Sequence, residues 1–353
     1  MYVMKENIKK ILEYGISAPS GENCQPWRFE VENNIIKTYN IPEKDLSLYN
    51  FEQHGSLIAH GALLENISIA SKYFGYNPSI SILPNRNNPN LTSIITLDKS
   101  QSFKDPLFDF IKIRSTNRNP YKTQPLTEEQ KNKIVNSSNF KNFTIKLTEN
   151  KDIKIKLAKA LTVSDAMLFE NRKIHDFLFS HLIFDENESK KLKSGFYIKE
   201  LALPLPIEKV FKFAKEWRRV LLLNKFGFSK IAAKGNIGLY SKVGAIGAIV
   251  VDGKSSEDFV AAGRVMQRMW LTSTSLNLAV QPVTGVIFFI QRILAGQLNN
   301  FSPRHIKLVK DAYFEIEKMF DAENKTIAMT FRIGFPKKEG FKSLRKPPEI
   351  RAN

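Results

Sequence analysis

The chain is poor in cysteine, with Cys24 as the one thiol among 353 residues. A single thiol cannot form an intrachain disulfide, and it cannot supply a cluster of thiolate ligands to zinc. The sequence therefore excludes a disulfide framework and a zinc-finger fold, and it is compatible with a reducing compartment.

Motifs for metal binding and nucleophilic catalysis are also missing. The five histidines include no HExxH or other ligand spacing, and the chain has no GxSxG and no P-loop. We therefore predict no metal site and no catalytic side chain. The histidines are His54, His60, His175, His181 and His305.

Long hydrophobic runs are absent as well. The longest apolar stretches, around Val243–Val251 and Pro282–Ile290, are too short to cross a bilayer and are typical of buried strands or core segments. Residues Met1–Asn7 lack the apolar core of a signal peptide. We expect a cytoplasmic protein with no stable membrane insertion.

Acidic residues are outnumbered by basic ones, and the formal net charge is +18. Such a field attracts anions of any kind. However, the charge is spread along the chain, without zinc-finger spacing, an aromatic RNA-binding box or an arginine-rich tail. This pattern favours a lysine-rich surface over nucleic-acid binding. The hydrophobic fraction of 42% indicates a real core.

The periodicity of apolar residues predicts alternating helices and strands. The order helix, strand, strand, Gly-led helix, strand describes residues 5–97 and also 126–335, with extra material between roughly 150 and 240. An α+β fold of two similar halves is the economical architecture, and a single unrepeated α/β domain is the alternative. Helices are predicted at 5–17, 55–74, 107–113, 126–136, 151–182, 258–278 and 306–320, and strands at 27–31, 35–39, 79–83, 91–97, 143–147, 242–252 and 326–335.

Two segments have the composition of a binding site. The loop Ala18–Trp27 combines residues that permit unusual backbone angles with short polar side chains, which together can read the edge of a flat heterocycle. In the pentad Arg114–Arg118, two guanidinium groups flank two hydroxyls, a set of donors suited to phosphate. The alternatives are an ordinary helix–strand loop and a solvated basic turn.

As whole strings, these segments resemble the nitroreductase-like FMN-binding family. The loop Ala-Pro-Ser-Gly-Glu-Asn-Cys-Gln-Pro-Trp is similar to the family loop whose Ser and Asn face the flavin. The pentad Arg-Ser-Thr-Asn-Arg is similar to the family's opening motif, although Ser115 stands where a second basic residue is usual. The resemblance covers most of residues 1–350 and implies flavin contacts from Pro19, Ser20, Gly21, Asn23, Gln25, Arg114, Ser115, Thr116 and Arg118.

The resemblance extends to two later segments. The stretch after helix 258–278 would lie against the flavin and supply a backbone N–H near its N5 atom, which places Gln281, Pro282, Val283 and Thr284 in the site. The final strand would direct Arg332 to the flavin phosphate, with Arg345 as a weaker candidate.

The distribution of the two motifs predicts the number of sites. Residues 1–105 have the loop but no arginine pentad, and residues 106–353 have the pentad but replace the loop by Val135–Phe140. Two halves that each keep one side of a site imply one complete site between them. The chain thus resembles the two-halved (Acg-type) branch of the family, a fused pseudo-dimer that is a monomer or a homodimer.

The resemblance is poorest at residues 150–240, where a lid-like insertion is expected at about 183–240. Within it, residues 209–234 contain eight Lys or Arg and one Glu, interleaved with large apolar side chains. In the two-halved branch, the insertion resembles a cover over the flavin. The alternatives are a purely structural element and a basic amphipathic surface for membranes.

The implied activity is an FMN-dependent oxidoreductase. Flavin N5 would take a hydride from NAD(P)H and pass it to an electron-poor small molecule, nitroaromatic or quinone-like. One alternative is an FMN-sequestering protein with little or no turnover. The other is a basic protein that binds membrane or nucleic-acid surfaces.

Overall fold

The computed structural model describes residues 2–351, with side chains described from Met4 onward. The helices of this range are α1 (Tyr2–Gly15), α2 (His54–Tyr73), α3 (Glu128–Val135), α4 (Lys151–Leu161), α5 (Val163–Glu170), α6 (Arg172–His181), α7 (Glu186–Leu192), α8 (Leu205–Phe213), α9 (Trp217–Lys225), α10 (Phe228–Ser241), α11 (Ser256–Ser275), α12 (Gly285–Leu294) and α13 (Pro303–Met319). The strands are β1 (Trp27–Glu32), β2 (Ile35–Asn40), β3 (Tyr76–Ile82), β4 (Leu91–Lys99), β5 (Phe143–Thr148), β6 (Leu182–Ile183), β7 (Phe196–Tyr197), β8 (Ala245–Val251), β9 (Ala279–Pro282), β10 (Thr326–Gly334) and β11 (Ile350–Arg351).

The two main sheets repeat one topology. The first has the order β11-β1-β2-β4-β3, and the second has the order β5-β8-β10-β9. When β11 is left aside, each sheet has four strands. Across each sheet, the strand that comes first in the chain is followed by the second, then the fourth and then the third. In each half a helix of 20 residues, α2 or α11, follows the second strand. The predicted α+β fold of two similar halves is confirmed.

The two long helices meet at a pair of glycines. Gly61 and Gly263 lie at the same distance from the start of their helices. A Cβ atom on Gly61 would lie 1.9 Å from the carbonyl oxygen of Val260, and one on Gly263 would lie 2.0 Å from that of Ile58. The backbones of α2 and α11 are therefore in direct contact, and this contact forms the centre of the molecule.

Apolar side chains from both halves form a continuous core around this helix pair. Trp270, Phe331 and Phe29 are fully buried in it. A second cluster packs α4, α12 and α13 against β8, and a third joins α5 and α6 to the insertion, with Phe169, Phe179 and Val220 buried. This third core attaches the insertion to the two helices that precede it.

The strap, residues 335–351, connects the second half back to the first. It leaves β10, passes Asn117 and ends as β11, which pairs in parallel with β1 through Phe29 and Ile350. The side-chain amide of Asn117 donates to Lys338 O at 2.8 Å. The second half thereby adds a strand to the sheet of the first.

Several predicted elements differ from the structure. The helix expected over 107–113 is only a single 3-10 turn at Phe108–Phe110. The helix expected over 151–182 is three helices, because Asn171 leaves the helical conformation (φ −125°, ψ 115°) and caps α6 with its side chain. The apolar run Pro282–Ile290, expected as a buried strand or a core segment, is a core segment that lies mostly in α12. The irregular region expected at 183–240 is largely helical, in α7 to α10.

Candidate functional site

The loop between α1 and β1 has an unusual backbone. Glu22, Asn23 and Gln25 all adopt positive φ, at 43°, 55° and 52°. Positive φ is uncommon for residues other than glycine and persists where surrounding contacts enforce it. The backbone N–H of Gln25 donates to the Ser20 hydroxyl at 3.0 Å, which closes the loop on itself.

The strap and the insertion hold this loop from outside. Arg345 Nη1 donates to Asn23 Oδ1 at 2.7 Å, and its Nη2 donates to Ala18 O at 3.1 Å. Gln25 Nε2 donates to Lys193 O at 2.7 Å, and Gln25 Oε1 accepts from Lys346 N. Gln25 therefore supports the loop with a buried side chain and does not line the cavity described below.

The pentad is positioned by the edge of the second sheet. Thr116 forms a parallel bridge with Val280 in β9, and the N–H of Asn117 donates to Val280 O at 3.2 Å. This pairing places Thr116 and Arg118 beside the loop of the first half. The structure thus brings the two predicted segments together at one cavity.

Arg114 is a buried cation with unsatisfied donors. Its Nη2 donates to Ser17 O at 2.9 Å, but no acceptor within residues 2–351 reaches its buried Nε and Nη1. Its guanidinium carbon lies 4.5 Å from the centre of the Trp270 ring. Burial, with the positive charge of Arg345 nearby, lowers the pKa of Arg114 to about 9, so the group is still charged at neutral pH. Buried donors of this kind call for an anionic acceptor.

A small recess of about 40 Å³ lies beside Arg114. Its cations are Arg114, Lys342 and Arg345, and it has hydroxyls from Ser115 and Ser343. No carboxylate lines this recess among the described residues. Burial lowers the pKa of Lys342, and the neighbouring charges of Arg114 and Arg345 lower it further. The recess is suited to a compact anion.

Arg118 lies in the main cavity and contacts the insertion. Its Nη1 donates to Glu200 O at 3.2 Å, and its guanidinium carbon lies 4.8 Å from the centre of the Phe196 ring. Burial lowers the pKa of Arg118, and the Glu200 carboxylate opposes that shift. The insertion therefore reaches the site through Phe196 and Glu200.

Arg332 lies elsewhere than the sequence predicts. Its side chain is 1% exposed, does not line the cavity, and donates from Nε to Gln281 Oε1 at 2.7 Å. Its other donors reach the carbonyls of Leu239, Asn117 and Asn119. With its hydrogen bonds used internally, Arg332 stabilises the pentad's backbone, and Gln281 orients Arg332.

Only some residues of the segment around the end of β9 line the cavity. Pro282, Thr284 and Gly285 line the cavity, whereas Val283 is buried and exchanges hydrogen bonds with Thr330. Gly285 is the first residue of α12, and a Cβ there would lie 2.4 Å from Ser164 Cβ. The N–H groups of the first turn of a helix have no intrahelical acceptor, so this helix start can donate to a ligand.

The main cavity, of about 260 Å³, spans both halves. Its apolar lining comes from the helix pair and from three further elements, β7, α12 and β10, and such a lining suits a planar aromatic group. These apolar residues are Ile58, Ala59, Phe196, Met266, Trp270, Phe288 and Met329. Pro19, Ser20, Gly21, Asn23, Thr116, Arg118, Ser343 and Arg345 complete the side near the recess.

One wall of the cavity is acidic. Glu22 and Asp45 both line it, together with Ser47, Tyr49 and Asn50. Burial, reinforced by the charge of Asp45, raises the pKa of Glu22 to about 8, although Arg118 opposes the shift. Burial also raises the pKa of Asp45, against its hydrogen bonds to Ser47. At neutral pH, Glu22 is therefore mostly protonated and can donate a hydrogen bond.

This assignment predicts a pH-dependent stability. Because the unfolded chain ionises Glu22 near its ordinary pKa of 4.5, the folded state loses stability as pH rises from 4.5 to about 8. We expect Glu22→Gln to be about 2 kcal/mol more stable than the unsubstituted protein at pH 9 and equal to it near pH 4. Urea unfolding of the flavin-free protein measures this difference. A gain that does not vary with pH, or one shared by the exposed control Glu43→Gln, would contradict it.

The corresponding location on the other side of the helix pair is filled. Residues two apart on a helix lie on opposite sides, so Arg264 and Arg268 point away from Met266 and Trp270. Both arginines form ion pairs with the buried carboxylate of Glu65 at 2.9 and 2.8 Å. On this side of the helix pair, the loop of residues 136–142 is short, and its Phe140 ring stacks on the guanidinium group of Arg264.

Two classes of feature are absent from the described range. No helix between residues 2 and 351 has the length and hydrophobicity of a bilayer span. The same residues include no group of three or more His, Cys, Asp or Glu side chains placed to hold a metal ion.

Sequence reasoning missed several residues at the cavity. Lys342, Trp270, Glu22, Asp45 and Phe196 were not predicted, and Arg345 was only a weaker candidate. The basic run Lys342–Lys346 was a visible signal for the strap. The signal for Glu22 was its place inside the loop motif itself.

The comparisons with known proteins give distant relatives. No protein-family model matches the chain. An uncharacterised protein of Mycobacterium tuberculosis is 22% identical over 286 residues, which covers 79% of this chain and 39% of the relative. A protein of the same organism, provisionally named NAD(P)H nitroreductase acg, is 25% identical over 185 residues, covering 50% of this chain and 54% of the relative. The chain thus spans about half the length or less of these relatives, and the resemblance to nitroreductase-like proteins is confirmed.

Solved structures of low similarity also match. A nitroreductase with bound FMN from Bacteroides fragilis has a TM-score of 0.34 and 10% identity, with 68% of this chain and 96% of that chain covered. An oxidised iodotyrosine deiodinase bound to FMN and 3-iodo-L-tyrosine has a TM-score of 0.39 and 12% identity, with 70% and 98% covered.

Proposed function

We propose that the chain binds one FMN across the junction of its two halves and is an FMN-dependent oxidoreductase. The hydride would come from NAD(P)H and pass to an electron-poor acceptor, nitroaromatic or quinone-like. The observation that carries this proposal is the buried guanidinium of Arg114, whose Nε and Nη1 have no acceptor among residues 2–351 and lie beside two further cations. Proteins rarely bury such a group unless a ligand satisfies it.

The recess would hold the phosphate of FMN. A phosphate monoester carries close to two negative charges at neutral pH, which the cations Arg114, Lys342 and Arg345 would balance. The Ser115 hydroxyl would add a hydrogen bond, whereas the Ser343 hydroxyl already donates to the Glu200 carboxylate. Thr116 lines both the recess and the main cavity, and therefore lies where the ribityl chain would pass from one to the other.

The main cavity would hold the flavin ring. Pro19, Ser20, Gly21 and Asn23 would contact one edge of the ring, and the start of α12 at Gly285 would contact another. The apolar side chains of the helix pair would pack on its face. When bound, FMN supplies the hydride chemistry, so the protein needs to bind, orient and shield it.

The acidic wall bears on the acceptor. Glu22 and Asp45 line the main cavity but not the recess, and a carboxylate disfavours a negatively charged neighbour. A protonated Glu22 would instead donate a hydrogen bond to a nitro or carbonyl oxygen. The wall therefore favours neutral acceptors with oxygen atoms, and it disfavours carboxylated ones.

Sequestration of FMN without turnover is the second candidate. Phe196 of the insertion and the strap both lie against the cavity, and both would have to leave a path for NAD(P)H. If they do not move, bound flavin would be shielded from reductant. The number of chains per complex, one or two, does not distinguish the candidates.

The test begins with the purified chain saturated with FMN. We expect one FMN per chain after removal of excess flavin. NADH or NADPH, added without oxygen, should bleach the flavin absorbance, and a nitroaromatic or quinone should restore it. A flavin that is retained but not bleached would support sequestration. Failure to retain FMN would refute both candidates.

A further inference from the structure

The outward side of the helices α9 and α10 is the feature that the proposed function leaves unused. Eight exposed residues form this surface, called the outer face, and none of them lines the cavity. They are Arg218, Leu221, Leu222, Lys225, Phe226, Lys230, Ile231 and Lys234.

These helices are apolar on two sides. Their inner side packs Trp217, Leu223 and Phe228 with the buried Val220 into the core that joins the insertion to α5 and α6. On the outer face, Leu221 and Leu222 are each 51% exposed, Ile231 is 65% exposed and Phe226 is 79% exposed. A cover over a cavity needs only one apolar side, so the second apolar side requires another explanation.

The apolar and basic residues of the outer face are interleaved. Leu222 and Phe226 are four residues apart on adjacent turns, and Arg218 precedes Leu222 by the same interval, so the three share one side of α9. Phe226 lies at the turn into α10, where Gly227 adopts a φ of 77°. The turn presents Phe226 as the most exposed aromatic side chain of the insertion.

The charge of the outer face is of one sign. Residues 217–241 contain no Asp or Glu. Arg218, Lys225, Lys230 and Lys234 form no ion pair with any residue of the described range, whereas Arg219 pairs with Glu216. A second copy of the chain would meet this face with like charge if the two faces packed together. The partner is therefore anionic.

We propose that the outer face binds an anionic lipid surface peripherally. Its large aliphatic side chains match acyl chains, and its flanking cations match lipid phosphates, which is the pattern of helices that lie in a membrane interface. Nucleic acid would use the cations but leave the leucines and isoleucine without a partner. The proposal does not depend on flavin binding.

The test uses the full chain and two kinds of vesicle, phosphatidylcholine alone and phosphatidylcholine mixed with phosphatidylglycerol. We expect cosedimentation with the mixed vesicles and little with the neutral ones. Leu222→Ser with Phe226→Ser should lower the partition coefficient at least about tenfold. Lys225→Glu with Lys230→Glu should do the same, and added salt should weaken binding.

Matched controls keep the test specific. Leu46 and Phe103 are exposed apolar residues outside the insertion, and Lys9 and Lys99 are exposed cations there. Two double variants serve as controls, Leu46→Ser with Phe103→Ser and Lys9→Glu with Lys99→Glu. In both, the partition coefficient for vesicles should stay within about twofold of that of the unsubstituted protein. No binding to mixed vesicles would overturn the proposal. So would an equal loss in the control variants, or binding to single-stranded RNA that the Leu222 and Phe226 substitutions leave unchanged.

Discussion

Replacing Arg114 with alanine is expected to raise the Kd for FMN by at least about 100-fold. The phosphate would lose a desolvated, charge-assisted contact worth about 3 kcal/mol, and FMN would no longer be retained through gel filtration. Fluorescence titration with free FMN measures the Kd directly. Arg114→Lys should recover part of the affinity, since a point charge is restored without the fork of donors.

The stability of the flavin-free protein separates this role from a structural one. Because two nitrogens of Arg114 are buried without acceptors, its removal should leave the urea midpoint unchanged or raised. Arg345→Ala should lower both FMN affinity and stability, because Arg345 also donates to Ala18 and Asn23. Arg86→Ala, an exposed control, should change neither. Normal FMN retention by Arg114→Ala would refute the phosphate assignment.

Replacing Gly61 with alanine is expected to cost about 4 kcal/mol or more of folding stability. The new Cβ would lie 1.9 Å from the carbonyl oxygen of Val260, which belongs to the backbone of α11 and cannot rotate away. The two long helices would have to move apart, and the cavity that both of them line would widen. Urea unfolding and FMN titration together measure these effects.

The matched control for this substitution is Gly235→Ala in α10. No atom lies within 4 Å of the position that its Cβ would take, so alanine should stabilise the helix by about 0.5–1 kcal/mol. Gly263→Ala should behave like Gly61→Ala, because its Cβ would meet Ile58 O at 2.0 Å. Unchanged stability in both central variants would contradict the close approach of the helices.

Local elements were predictable where the sequence carries local signals. The helix predicted at 126–136 is present as α3, and it begins with a capping box of Thr127 and Gln130, whose two partners lie within one turn. The helix predicted over 151–182 was wrong as a single element, since a side-chain cap at Asn171 outweighs continuous apolar periodicity. The helix α12 was missed because a fully buried apolar run looks the same in a strand and in a helix.

The site was predictable only in part, because local patterns identify segments but do not give the direction of a side chain or its distant contacts. The loop and the pentad are recognisable as strings, and their pairing across the halves followed from their distribution. The direction of Arg332 was not recognisable, because a strand places alternate side chains on opposite faces and the pattern alone does not say which face meets the cavity. The contact of Arg345 with Asn23 joins residues more than 300 positions apart, which no local pattern encodes.

By itself, the sequence determined the α+β class, the repeat of two halves, the segments that carry polar and cationic groups, and the lack of thiol clusters. The tertiary structure alone decided which cations gather around the unsatisfied donors of Arg114, which carboxylates line the cavity, and which location beside the helix pair is closed by Glu65, Arg264 and Arg268. The physical reason is that composition and periodicity report on a few neighbouring residues, whereas burial and the proximity of charges depend on where distant segments of the chain meet. In this protein, those meetings are the contact of α2 with α11 and the pairing of the strap with β1.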